Sequence, residues 1–115
     1  MKLYHATFGS KRQSIEKNGL LINQNKVWPD CVSGYVYMAS DMDGAISICE
    51  VAEDLPDEIY NSGICCFEID TDALDTSLLF VDPNMLFAED EEPWCFAYKG
   101  NIPHSDLKLC CNEQQ

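Results

Sequence analysis

The sequence predicts an α+β domain of five to six short strands and two short helices, and three observations predict it. Runs rich in β-branched and aromatic residues, Tyr35–Ala39, Ile64–Ile69 and Trp94–Tyr98, have strand length and strand composition. Two helix signals stand between the first strands. The chain of 115 residues is 46% hydrophobic and 23% charged, which suits one globular core and is too short for two, so residues 1–115 are expected to form a single domain.

Taken in order, Lys2–Thr7 reads as a first strand. Ser10-Lys11-Arg12-Gln13 has the form of a capping box and Asn18-Gly19 supplies a stop, so a helix of about two turns follows. Leu21–Gly34 holds Asn23, Asn25, Pro29 and Asp30 and reads as a loop anchored by Trp28. After the strand Tyr35–Ala39, Ser40-Asp41 caps a second helix, whose apolar positions Met42, Ala45, Ile46, Cys49 and Ala52 share a face and which ends before Pro56. Ile64–Ile69 is almost wholly apolar, the pattern of a central strand buried on both faces. Asp70–Ser77 is a turn-rich link, Leu78–Val81 a short strand, and Asp82-Pro83-Asn84 a turn. Glu89–Glu92 reads as a solvated acidic loop, Trp94–Tyr98 as a strand, Lys99–Asn101 as a turn, and Leu107–Leu109 as a closing edge strand.

Charge narrows the function. Seven Lys and Arg against 20 Asp and Glu give a formal net charge of -13, which repels phosphate backbones and anionic lipid. Bulk nucleic acid and membrane surfaces are therefore not the expected partners, and a basic protein is one alternative that such a charge suits. No apolar run approaches the roughly 20 residues of a spanning helix, and Met1–His5 lacks the apolar stretch of a signal peptide, so the expected location is cytoplasmic.

The seven cysteines, at 31, 49, 65, 66, 95, 110 and 111, are odd in number, include two adjacent pairs and form no C-x-x-C. They read as reduced core thiols, with no metal expected. Asp70-Thr71-Asp72-Ala73-Leu74-Asp75 resembles half a calcium loop, but it lacks the glycine and the distal glutamate, and Asx-type turns account for it. The motifs of nucleophile-elbow hydrolases, zinc proteases, P-loops and dinucleotide folds are all missing.

What remains is a distributed constellation: Leu3-Tyr4-His5-Ala6-Thr7, then Ile15 to Gly19-Leu20, then Gly34-Tyr35-Val36-Tyr37-Met38-Ala39-Ser40 with Ala45, and finally Trp94 through Pro103. In order and spacing it resembles the ADP-ribosyltransferase superfamily, in the branch with an H-Y-E type triad that includes poly-ADP-ribose polymerase catalytic domains and RNA 2′-phosphotransferases. The resemblance spans nearly the whole chain. It implies a split, mostly antiparallel sheet and an activity in which NAD is the substrate and ADP-ribose passes to a protein or small acceptor. It further implies that His5 binds a ribose hydroxyl of NAD, that the backbone of Ala6 grips the nicotinamide amide with Thr7 supporting the turn, and that Tyr37 stacks on the nicotinamide ring.

The chain departs from that pattern at the third position, where a carboxylate is expected and Trp94 or Cys95 stands. Glu92 is the nearest candidate for the catalytic carboxylate. Near Ala45 the hydroxyl that would bind nicotinamide has only Ser47 to supply it, and a single arginine, Arg12, does not suffice to read an RNA phosphate. The second reading is accordingly a catalytically inactive acidic module on the same scaffold, binding or inhibiting a basic protein.

Overall fold

The computed structural model describes residues 1–22, 34–50, 61–83 and 87–113, with side chains as far as Cys110. Its strands are β1 (Lys2–Phe8), β2 (Val36–Ala39), β3 (Ile64–Asp70), β4 (Leu79–Val81), β5 (Cys95–Tyr98) and β6 (Lys108–Glu113). The helices are α1 (Arg12–Asn18) and α2 (Met42–Glu50). The strands form one antiparallel sheet in the order β4-β5-β2-β1-β3-β6, so the chain builds an α+β domain. The sheet is continuous rather than split. Its weakest seam is nevertheless at the centre, where β1 and β2 share the single register pair Tyr4↔Ala39.

Strand alternation sorts the core into two faces. On one, Leu3, Val36, Met38, Cys65, Phe67 and Ile69 pack with Ile15 of α1 and with Leu20 and Ile102. On the other, Ala6, Phe8, Ala39, Ile64 and Cys66 pack with Ala45 and Cys49 of α2. β3 is buried along both faces except at Glu68 and Asp70, as its apolar composition requires.

The ends of the elements follow local chemistry. Gly19 closes α1 at φ 79°, a left-handed backbone that favours glycine, and its N–H donates to the Ile15 carbonyl. The expected capping box does not form. A 3-10 turn over Gly9–Lys11 precedes α1, the helix starts after Lys11 without a side-chain cap, and the Ser10 N–H donates to Ser62 Oγ at 3.0 Å. α2 is capped as expected, with Asp41 Oδ1 accepting from the Gly44 N–H. The Asp70–Asp75 stretch forms two Asx turns: Asp70 accepts from the Asp72 N–H and Asp75 from the Ser77 N–H, each opening a 3-10 turn. Trp28, the loop expected around it and residues 51–55, where the second helix is expected to continue, lie outside the described residues. Among those residues no helix is long and apolar enough to cross a membrane.

Candidate functional site

β1 uses its two edges differently. In an antiparallel ladder the N–H and C=O of alternate residues point to alternate neighbours. The bonds Thr71 N–H to Met1 O and Gly9 N–H to Gly63 O flank the β1–β3 ladder, so Leu3, His5 and Thr7 direct their backbone groups to β3. Tyr4, Ala6 and Phe8 therefore direct theirs to β2. Tyr4 finds Ala39 there, and the next position, Ala6 opposite Tyr37, lies beyond the register. Ala6 thus aims one donor and one acceptor into the opening between the strands.

β2 meets this opening from the other side. The bond from the Ser40 N–H to the Trp94 carbonyl sets the β2–β5 ladder, which leaves the backbone of Tyr37 and Ala39 facing β1. The Tyr37 carbonyl is taken by the His5 side chain, with Nδ1 at 2.7 Å. Since a carbonyl can only accept, Nδ1 carries the proton in the neutral ring and Nε2 presents a lone pair. His5 is 3% exposed, and burial holds its pKa below the usual 6.5, with Lys11 acting in the same direction and the Tyr37 bond opposing. The ring is neutral at pH 7.

A pocket sits over this seam, lined by Tyr4, His5, Ala6, Tyr37 and Met38 with Ala45 and Ile48 of α2 among its walls. Its free volume, about 10 Å³, holds roughly one water molecule. His5 leaves β1 on the face of its register partner Phe67, whereas Tyr37 leaves β2 on the face of Ala97, so the two side chains open onto opposite faces of the sheet and do not face one cleft as the resemblance would have them do; the His5 ring meets Tyr37 at its backbone carbonyl. Tyr35 and Tyr37 form a tilted ring pair with centroids 6.0 Å apart.

Of the residues given a site role from sequence, His5, Ala6 and Tyr37 line the pocket, and Thr7 and Glu92 do not. Thr7 is buried and paired with Cys65 in the β1–β3 ladder. Glu92 is exposed in the acidic turn before β5 and does not reach the pocket. Pro93 and Trp94 separate it from the strand. Trp94 packs against α2, its ring 3.1 Å from where a Cβ on Gly44 would stand, so it fills no ribose subsite. Cys95 is fully buried, its thiol pushed up to about 12 by burial and by Asp82 and Asp41. Ser47 is exposed on α2, and His104 is exposed in the turn before β6.

Sequence reasoning missed Ile48, which reaches the pocket one helical step after Ala45; the i, i+3 spacing was the available signal. Among the described residues no group of three His, Cys, Asp or Glu side chains converges to hold a metal. A scan against protein-family models and a search of curated proteins return no match for this chain.

Proposed function

We propose that this chain is an NAD-binding protein of the ADP-ribosyltransferase-like type, whose pocket at the β1–β2 seam receives the nicotinamide end of the dinucleotide. The supporting observation is that Ala6 and Tyr37 stand opposite each other across that seam without forming a ladder pair. Ala6 aims an N–H and a C=O into it, the complement of a primary carboxamide, and Tyr37 supplies an aromatic wall for a flat ring. His5 Nε2, held in the accepting tautomer by the Tyr37 carbonyl, suits a ribose hydroxyl that donates.

The reading favours binding over turnover. Breaking the nicotinamide–ribose bond develops positive charge on the ribose, and a carboxylate is the group that stabilises it. No carboxylate among the described residues lines the pocket. Because the free volume holds about one water, the ligand enters only if side chains over the seam move aside, and part of the binding free energy is spent on that opening.

Calorimetric titration tests the proposal. Nicotinamide and NAD are expected to bind with one-to-one stoichiometry, nicotinamide more weakly, and nicotinamide release from NAD is expected to be undetectable above the uncatalysed rate. Absence of heat and of competition for both ligands would overturn it.

A further inference from the structure

We propose that β4 is a docking edge for an extended, basic segment of a partner protein, which adds to the sheet as a further strand. β4 is the outermost strand, and its ladder to β5 is bracketed by Lys99 N–H to Leu78 O at 2.8 Å and Asp82 N–H to Cys95 O at 3.0 Å. That alternation turns the backbone of Phe80 inward to Ala97 and the backbone of Leu79 and Val81 outward. The Leu79 N–H is used by the preceding turn, donating to the Thr76 carbonyl. The Leu79 carbonyl and both backbone groups of Val81 remain outward, with no partner among the described residues.

The side chains point the same way. Phe80 is 47% exposed and Val81 46% exposed, the two large apolar side chains besides Met1 that the described residues leave in solvent. They lie on opposite faces of the strand, so an added strand meets an apolar contact above and below. Edge strands are ordinarily protected by a lysine, a proline or a bulge. The opposite edge, β6, begins with Lys108, and its ladder to β3 is bulged between Cys66 and Phe67. β4, Leu79-Phe80-Val81, carries neither lysine nor proline.

Charge selects the occupant. Asp75 is exposed before β4, and the connection that leaves and re-enters the sheet at its far end carries exposed Glu89, Asp90, Glu91 and Glu92. A second copy of this chain would bring these carboxylates against their own kind at a net charge of -13 each, which disfavours self-pairing. A segment alternating lysine with valine meets the carboxylates, the apolar side chains and the outward backbone together.

The test is a blocked peptide of about seven residues alternating lysine and valine, titrated by fluorescence anisotropy and by amide NMR. Binding is expected to shift the amides of Leu79 and Val81 first. It should weaken by about tenfold or more as salt shortens the Debye length from ~10 Å to ~3 Å. The same peptide N-methylated along one edge keeps its charge and loses strand pairing, and it is expected not to bind. Val81→Pro removes an outward N–H while sparing the ladder to β5, and it should abolish binding, as should Phe80→Lys. Equal binding of the N-methylated peptide, shifts confined to Glu89–Glu92, self-association through β4, or no binding of either peptide would overturn the proposal.

Discussion

The two sides of β1 are built to opposite ends. Toward β3 the strand is paired along its whole length, from Lys2↔Asp70 to Phe8↔Ile64, and both strands are almost entirely buried. Toward β2 it is joined at Tyr4↔Ala39 alone, and one step on the backbone bond is replaced by an imidazole reaching the Tyr37 carbonyl. One strand therefore serves as the core's anchor along one edge and as the wall of a pocket along the other. The lesson is that a site can be made inside a sheet by withholding a ladder pair, provided a side chain satisfies the carbonyl left behind.

Substitution on the anchored side should have the larger effect. Phe67 is 2% exposed at the centre of that face, and Phe67→Ala is expected to cost about 3–5 kcal/mol of folding stability by denaturant unfolding. His5→Ala should cost less, about 2–3 kcal/mol, because it removes the buried imidazole bond to the Tyr37 carbonyl and leaves a small void at the seam. It should also abolish any NAD affinity that exceeds that of nicotinamide alone, which Phe67→Ala should not do selectively.

A third, smaller effect is set by pH. The folded-state pKa of His5 is depressed by burial, so between that value and the unfolded value of 6.5 the unfolded chain binds the extra proton. Stability contributed by neutral His5 is complete above about 6.5 and is lost as the pH falls below it. Denaturant titrations should show a slope of up to about 1.4 kcal/mol per pH unit on that acid side, and the slope should vanish in His5→Ala. Hydrogen exchange sharpens the contrast without any mutation. The amides of Leu3, His5 and Thr7, which face β3, should exchange more slowly than the Ala6 amide, which faces the seam.

Most of this architecture was legible in the sequence because its signals are local. Ile64–Ile69 announced a doubly buried strand by composition, Asn18-Gly19 a left-handed helix stop, and Asp70 and Asp75 their Asx turns, and each is found where it was expected. The failures concern partners distant in sequence. Ser10 was expected to cap its own helix, and its N–H instead donates to Ser62, a residue 52 positions away. Whether the sheet is split or continuous depends on one register pair, which no periodicity encodes. His5, Ala6 and Tyr37 stand out only through the family resemblance, and the backbone direction of Ala6 follows from the β1–β3 register. Glu92 was chosen by sequence proximity to β5, and an exposed turn does not carry it to the pocket.

The smallest expected effect follows from that last point. Glu92→Gln should change stability by less than about 0.5 kcal/mol and leave nicotinamide affinity unaltered.

Whether the seam beside Ala6 receives a carboxamide is read by titrating nicotinamide and following the amide resonances. Saturable shifts are expected to be largest at Ala6 and Tyr37, with the Leu3 and Thr7 amides nearly unmoved, and NAD should produce the same shifts. Shifts absent at Ala6 while other residues saturate, or no saturable shift anywhere, would contradict carboxamide binding at the seam.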